Sequence, residues 1–195
     1  MHANGYTLPM AQRASPYPYL TVDEYLEFEE VASVRHEYVG GQLYAFAGAS
    51  TNHNRLIRNF ILLLSSTARD STCEVFFNDL KLRIGDSLFY YPDLMVVCDP
   101  DETQPTYRSA PCLVVEVLSP STESTDRREK LFAYRQIITL QAYLIVWQDQ
   151  RRVQRHYRDA NGEWANAEVA NVGNVPLICP EITLTLDDIY RGIDV

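Results

Sequence analysis

The chain has 195 residues, of which 46% are hydrophobic and 22% are charged, and its formal net charge is −9. This length favours one domain with a full core over two small domains, and the acidic balance argues against a nonspecific nucleic-acid binder with a uniformly basic surface. The sequence shows neither an apolar run long enough to cross a bilayer nor a basic and apolar leader, so we expect no membrane span and no export.

In chain order, the first feature is a proline-containing stretch. Residues 1–20 include Pro16 and Pro18 and are expected to form a flexible arm, which leaves residues 21–195 as a single domain. Thr21 and Glu24 have the spacing of a capping box and predict a helix that begins at this point. The sequence RHEYVGGQLYAFAG then predicts a hairpin around Gly40-Gly41, because tight hairpin turns need positive φ angles.

The middle of the chain predicts a core helix followed by strands. Apolar residues at helical spacing indicate a helix over residues 53–68. Strands are predicted at residues 73–77, 80–84, 88–97 and 111–118. The last two runs are almost continuously apolar, which is typical of strands that are buried on both faces.

The remaining third of the chain predicts a helix, a strand and a meander. Asp126 and Glu129 fit the ends of a capping box that opens a helix through about residue 136. A strand is predicted at residues 142–147, and turns around Asp149 and Gly162 predict a meander through RRVQRHY and EWANAEV. The stretch TLDDIYRGI predicts a short closing helix.

The four cysteines are Cys73, Cys98, Cys112 and Cys179, and no two of them have C-x-x-C spacing. Cys98 and Cys112 lie in apolar surroundings, where a free thiol behaves as a small hydrophobic side chain. We therefore expect free thiols and a cytoplasmic protein.

Two acidic residues interrupt the apolar strands, Asp93 in YPDLMVV and Glu116 in LVVEVL. Desolvation of a carboxylate costs several kcal/mol unless the group is paired, protonated or bound to a metal. If the strands are neighbours, the acids face each other, and a hard ion such as Mg²⁺ is a suitable partner for their oxygens. An ion pair with an arginine is the structural alternative.

Lys130 is a candidate third member of this group. Asp126, Lys130 and Tyr134 have the spacing of one helix face, on a helix that follows the Glu116 strand. Its ammonium would then orient or deprotonate an attacking water, or neutralise charge on a phosphate. Taken by itself, Lys130 would be interpreted as a surface lysine.

The segment from Arg127 to Arg158 is basic although the chain is acidic. It holds eight Lys or Arg residues and two acidic residues. Such a run indicates either a solvated helix face and hairpin or a surface that faces phosphates.

The chain resembles the PD-(D/E)XK nuclease superfamily and, within it, the restriction endonuclease family of Uma-two type. Pro92-Asp93 matches the PD element, and Glu116-Val117 matches the (D/E)X element. The run EVLSPSTESTDRREKLFAY, and RHEYVGGQLYAFAG followed by Asn52-His53, look like signatures of that family, so the resemblance covers about residues 20–190. Leu118 stands where the superfamily has its lysine, and Lys130 is expected to replace it.

This resemblance implies an α/β, restriction-endonuclease-like fold with a central mixed β-sheet flanked by helices and an added C-terminal β-meander. It also implies hydrolysis of phosphodiester bonds, with DNA as the expected substrate and Mg²⁺ (or Mn²⁺) as cofactor. Asp93, Glu116 and the carbonyl of Val117 would bind the metal, Lys130 would assist the water, and Glu37 would be a further acid near the site.

Several alternatives remain open at this point. Glu37 could equally be an exposed hairpin side chain, and His53 could line the site or only begin a core helix. The acidic net charge favours a second function, a binding or regulatory module that keeps the nuclease fold with weak or no catalysis. Exposed edges of the hairpins predicted at residues 142–169 favour a homodimer.

Overall fold

The computed structural model describes residues 18–45, 49–69, 71–119 and 125–195. The helices are α1 (Val22–Val31), α2 (Thr51–Ala68), α3 (Leu131–Tyr134) and α4 (Leu186–Ile189), and a π-helical turn at Thr125–Lys130 directly precedes α3. The strands are β1 (His36–Val39), β2 (Gln42–Ala45), β3 (Glu74–Phe77), β4 (Lys81–Ile84), β5 (Leu88–Tyr90), β6 (Leu94–Val97), β7 (Tyr107–Arg108), β8 (Pro111–Leu118), β9 (Ala142–Trp147), β10 (Arg152–Arg158), β11 (Trp164–Ala170), β12 (Asn174–Ile178) and β13 (Glu181–Thr185).

Helix α1 begins with the predicted capping box. The Glu24 amide donates to Thr21 Oγ1 at 3.3 Å, and the Thr21 amide donates to Glu24 Oε2 at 2.7 Å, so each residue satisfies a backbone donor of the other. The fully buried Tyr25 donates its hydroxyl to the carbonyl of His36 at 2.9 Å. This bond fastens α1 to β1.

The hairpin β1–β2 turns at Gly40 and Gly41, as predicted, with φ angles of 55° and 99°. A Cβ atom on Gly41 would lie 2.7 Å from Cδ1 of Tyr19, so a substitution at this position would also displace the Tyr19 ring. The amide of Leu20 donates to the Gly41 carbonyl at 2.9 Å. Residues 1–17 of the predicted arm lie outside the described residues, whereas Tyr19 and Leu20 contact the hairpin.

The strands form two mixed sheets and a C-terminal hairpin. One sheet has the order β2-β1-β5-β4-β7 and contains the parallel pair β4–β7, and the other has the order β11-β10-β9-β8-β6-β3 and contains the parallel pair β8–β9. β12 and β13 pair only with each other within the described residues. The predicted central mixed sheet is the six-stranded one, but a second mixed sheet accompanies it, and the meander β9–β11 belongs to the six-stranded sheet instead of being an addition to it.

The difference arises at residues 88–97, which are predicted to form a single strand. The structure divides it into β5, which joins the five-stranded sheet, and β6, which joins the six-stranded sheet. Pro92 lies between them and has no amide to donate to a ladder. The chain thus changes sheets at Pro92-Asp93, where no continuous strand can pair.

The central strands of the six-stranded sheet are buried on both faces. Every residue of β8 and β9 is buried, as predicted for β8. One core cluster joins this sheet to α2, the β12–β13 hairpin and α4, and a second joins it to the five-stranded sheet and α3. The core therefore has the six-stranded sheet at its centre.

The helix predicted at about residues 126–136 is present but is not a regular α-helix. It consists of the π-helical turn and the short α3, which buries Ala133 and Tyr134. The side chain of Asp126, the predicted N-cap, lies outside the described part. No helix within the described ranges has both the length and the hydropathy that crossing a membrane requires.

The prediction of free thiols is wrong. Cys73 is bonded to Cys98, and Cys112 is bonded to Cys179. Sequence spacing does not show these pairs, because the chain segments that carry the four residues meet only in the folded chain.

Candidate active site

The two strand acids lie at the same end of neighbouring strands. Asp93 directly precedes β6 and Glu116 lies within β8, and the antiparallel register pairs Leu94 with Val115. Extending this register by one residue places Asp93 opposite Glu116. The predicted adjacency of the two strands is therefore present.

Asp93 is held by a backbone amide and by a histidine. Its Oδ2 accepts a hydrogen bond from the Val117 amide at 2.7 Å and lies 3.1 Å from Nε2 of His53. His53 comes from the first turn of α2, whose N-cap Ser50 accepts from the His53 amide at 3.1 Å. The Asp93 side chain remains 21% exposed, so solvent and small ligands can reach it.

Glu116 is buried and is compensated by two donors. Its Oε1 accepts from Lys130 Nζ at 3.0 Å and from the Tyr134 hydroxyl at 2.7 Å. The π-helical turn and α3 thus bring Lys130 and Tyr134 to one carboxylate oxygen, as their predicted common face requires. These contacts offset the desolvation cost of placing a carboxylate in an apolar strand.

Glu37 completes a buried group of charges around Lys130. Its Oε1 lies 2.9 Å from Lys130 Nζ and accepts from the Tyr91 amide at 3.3 Å. The side chains of Lys130 and Glu37 are only 6% and 14% exposed. The alternatives of a surface lysine and of an exposed hairpin acid are therefore wrong.

Two buried tyrosines border this group as neutral donors. Burial, and to a smaller extent the charge of Glu116, raises the pKa of Tyr134 well above its ordinary value. Burial and then the charge of Glu129 raise the pKa of Tyr90, whose hydroxyl donates to Glu129 at 2.9 Å. The Tyr90 ring also lies 5.6 Å from Lys130 Nζ. Both phenols therefore keep their protons at neutral pH.

Gln148 is a site neighbour that sequence reasoning missed. It directly follows β9, and its Nε2 donates to the Leu118 carbonyl at 2.7 Å at the end of β8. Its own carbonyl accepts from Asn52 at 3.4 Å, and its side-chain oxygen accepts from Ser50. Gln148 therefore connects the start of α2 to the sheet edge that carries the acids. A polar residue directly after an apolar strand is the only sequence signal for it.

The donors at this edge fit a hard divalent ion. Asp93 and Glu116 offer carboxylate oxygens on adjacent strands, and both side-chain hydrogen bonds of Asp93 within the described residues end on Oδ2. Within the described residues, a group of at least three His, Cys, Asp or Glu side chains with ligand atoms within 4.8 Å of one another occurs once, and it consists of cysteines. Mg²⁺ commonly uses one or two carboxylates and completes its shell with waters and substrate oxygens, so two acids suffice.

The basic segment is largely occupied by contacts within the chain. Arg151 pairs with Asp187, and Arg152 pairs with Glu168 at 2.5 Å. Arg158 donates to two backbone carbonyls. These contacts favour the interpretation of the basic segment as a solvated helix face and hairpin over its interpretation as a phosphate-facing surface.

Comparison with known proteins decides the family. The Uma2 family, described as "Putative restriction endonuclease", matches residues 22–187. The chain belongs to the Uma2 family. The matched range contains Glu37, Asp93, Glu116 and Lys130, so the family assignment and the buried site involve the same part of the chain.

Other proteins share most of the length of this Uma2 chain. The "Uncharacterized protein slr1290" of Synechocystis sp. is 35% identical over 182 residues, which cover 92% of this chain and 96% of that protein. The "Uncharacterized protein sll1609" of the same organism is 36% identical over 154 residues, with coverages of 77% and 87%.

A solved structure shares the Uma2 fold. The crystal structure of "a putative nuclease belonging to DUF820" from Anabaena variabilis has a TM-score of 0.70 and 17% identity, and the likeness covers 88% of this chain and 97% of that one. At this identity the likeness concerns the fold alone. The two mixed sheets and the C-terminal hairpin are therefore an arrangement that an experimentally solved protein also adopts.

Proposed function

We propose that this Uma2 protein is a metal-dependent endonuclease that hydrolyses phosphodiester bonds in DNA. The observation that carries the proposal is the position of Lys130, whose ammonium contacts the buried Glu116 at the sheet edge where Asp93 lies opposite. A lysine beside two strand acids is the group expected from the PD-(D/E)XK resemblance.

Asp93, Glu116 and the carbonyl of Val117 are the proposed ligands of Mg²⁺ or Mn²⁺. The Val117 amide points to Asp93 Oδ2, and the N–H and C=O of one strand residue face the same side. This arrangement supports a carbonyl ligand between the two acids. When bound, the ion would polarise the phosphoryl group and stabilise its developing charge.

Lys130 is the proposed catalytic group of the chain itself. Its ammonium would orient the attacking water, or neutralise charge on the phosphate during the displacement. Glu37 lies 2.9 Å from the same nitrogen and acts as a positioning residue that holds the ammonium at the site.

Two further residues would position the metal ligands. Tyr134 donates to Glu116 Oε1 at 2.7 Å and so restrains that carboxylate. His53 contacts Asp93 Oδ2 at 3.1 Å and restrains the other one. Restraint of this kind fixes the first ligands in a productive geometry before substrate binds.

The test compares site variants with matched exposed controls. Supercoiled plasmid and single-stranded DNA are incubated with Mg²⁺, Mn²⁺ or a chelator and with wild type, Asp93→Asn or Glu116→Gln. Asp86→Asn and Glu74→Gln are the controls, because both acids are exposed and lie outside the site. We expect cutting that requires metal and falls at least about 100-fold in the two site variants only. Equal cutting by all five proteins would indicate contamination and contradict the proposal.

The second candidate function is a binding or regulatory module with weak or no catalysis. The net charge of −9 and the two carboxylates that engage Lys130 favour it. Calorimetric titration with Mg²⁺ discriminates between the two functions. Metal affinity that is lost in both Asp93→Asn and Glu116→Gln supports the nuclease, and unchanged affinity supports the module.

A homodimer remains part of the proposal. β11 and β3 form the edges of the six-stranded sheet, and β11 is partly exposed along its length. An open strand edge can pair with a second copy of the chain. Light scattering across a concentration series measures this directly, and a constant monomer mass would contradict it.

A further inference from the structure

All four cysteines of the chain meet at one place in the fold. Cys73 directly precedes β3, Cys98 directly follows β6, Cys112 lies at the start of β8, and Cys179 lies in the turn between β12 and β13. The structure shows them as two disulfides, Cys73–Cys98 and Cys112–Cys179. Four chain segments that are distant in sequence therefore present sulfur to a common point.

The two disulfides touch each other. Cys98 Sγ lies 3.5 Å from Cys112 Sγ and 3.4 Å from Cys179 Sγ, although neither is its bonded partner. The sulfurs of Cys73, Cys98 and Cys179 all lie within 4.8 Å of one another. Two independent crosslinks do not require such contact, so the convergence of the four sulfurs needs its own explanation.

The distances between the two pairs are close to those of a zinc tetrathiolate. A Zn–S bond of about 2.3 Å places the sulfurs of a regular tetrahedron about 3.8 Å apart. Two of the separations between the pairs, 3.4 and 3.5 Å, already lie near this value, and reduction would free the bonded sulfurs of each pair to move apart around an ion. Thiolates are soft ligands that favour Zn²⁺ over Mg²⁺.

We propose that the reduced chain binds one Zn²⁺ through Cys73, Cys98, Cys112 and Cys179. Cys112 is buried and the other three cysteines are partly buried, so the site is enclosed but remains reachable from solvent. A closed shell of four thiolates is typical of structural zinc. The ion would join β3, β6 and β8 to the C-terminal hairpin.

The conversion of the disulfide form into the zinc-bound form has a defined number of electrons and protons. A small dithiol reduces each disulfide with two electrons and two protons, which gives two thiols on the protein and one disulfide in the reductant. Binding of Zn²⁺ by four thiols then releases four protons. An oxidising environment retains the two disulfides, and a reducing one makes the zinc site available.

This site is separate from the candidate active site. Cys112 and Glu116 lie on the same strand β8, four residues and about 13 Å apart. The sulfur ligands select a soft ion, whereas the active-site oxygens select a hard one. The zinc proposal therefore does not depend on nuclease activity.

The test titrates reduced, metal-free wild type with Co²⁺ under anaerobic conditions. Cobalt in a tetrahedral thiolate site gives an intense sulfur-to-metal charge-transfer absorption, and we expect it to saturate at one Co²⁺ per chain and to disappear when Zn²⁺ is added. Cys98→Ser and Cys179→Ser should lose most of the absorption. Asp93→Asn is the matched control. It removes a proposed ligand of the other site and should retain the cobalt absorption.

Zinc should also raise the melting temperature of the reduced wild type, but not that of Cys98→Ser, because ligand binding stabilises only the form that holds the ion. Reduced wild type that shows no sulfur-to-cobalt charge-transfer absorption would overturn the proposal, and this result does not depend on whether a variant folds. A sulfur-to-cobalt charge-transfer absorption that persists at full strength in both cysteine variants would also overturn it.

Discussion

Lys130 Nζ lies 2.9 Å from Glu37 Oε1, and this contact joins the β1–β2 hairpin to the helical segment that follows β8. The same nitrogen lies 3.0 Å from Glu116 Oε1. One ammonium therefore serves two carboxylates that are largely removed from water. Its loss should affect both stability and any chemistry at the site.

Lys130→Met should destabilise the chain by about 3–5 kcal/mol, because it leaves buried carboxylates without their cation. Urea unfolding monitored by circular dichroism measures the change. Arg128→Met is the control, since Arg128 is exposed on the same turn and should change stability by less than about 0.5 kcal/mol. Adding Glu37→Gln to Lys130→Met should restore part of the loss, and strictly additive losses would contradict the shared ion-pair group.

Tyr134→Phe should lower stability by about 1.5–3 kcal/mol, because it removes the hydroxyl that donates to the charged Glu116. The ring contacts of Tyr134 with Tyr90 and Tyr143 remain available to phenylalanine. Tyr44→Phe removes a half-exposed hydroxyl that donates to Gln42 and should be nearly neutral. Equal effects of the two substitutions in urea unfolding would show that the Glu116 contact adds nothing specific.

His53→Ala should raise the Mg²⁺ concentration needed for half-maximal DNA cleavage more than it lowers the rate at saturating metal. The reason is that His53 restrains Asp93 and does not itself supply a proposed ligand. Metal titrations of the initial cleavage rate separate the two effects. Asn54→Ala, an exposed change on the next residue of α2, should leave the titration unchanged. A rate defect that excess Mg²⁺ does not relieve would instead assign His53 a direct catalytic role.

His156 should make the folded chain sensitive to mild acid. Burial, and then the charge of Arg135, lower the pKa of His156 from its ordinary 6.5 to about 4. Its Nδ1 has no hydrogen-bond partner within the described residues. Between these pKa values the unfolded chain binds a proton that the folded chain does not, so stability falls as the pH decreases from 7 to 5.

The expected loss from this histidine is about 2 kcal/mol. His156→Gln should remove that part of the pH dependence, and urea unfolding of both proteins at pH 7 and pH 5 measures it. Other titrating groups cancel in the difference between the two proteins. Parallel losses in wild type and variant would contradict the assignment.

Local patterns predicted the elements that depend on neighbouring residues. The capping box of Thr21 and Glu24 placed the start of α1, and Gly40-Gly41 placed the β1–β2 turn. The apolar continuity of residues 111–118 predicted a strand buried on both faces. Each of these signals reports an interaction within a few residues, so no knowledge of the tertiary fold was needed.

The division into two sheets was not predictable in the same way. Residues 88–97 have a continuous strand composition, and only Pro92 marks the point where the chain leaves one sheet for the other. A proline permits such a change but also occurs at strand edges and bulges. Which sheet each half joins depends on partners that are distant in sequence.

The sequence by itself determined that Asp93 and Glu116 are costly in their apolar strands and that Lys130 and Tyr134 share a face, since composition and periodicity are properties of the chain. Only the tertiary structure decided that Glu37 and Glu116 share one ammonium, that His53 contacts Asp93 and that four separate cysteines converge. The physical reason is that desolvation acts on each residue locally, whereas the partner that offsets it is chosen by long-range packing of strands and helices.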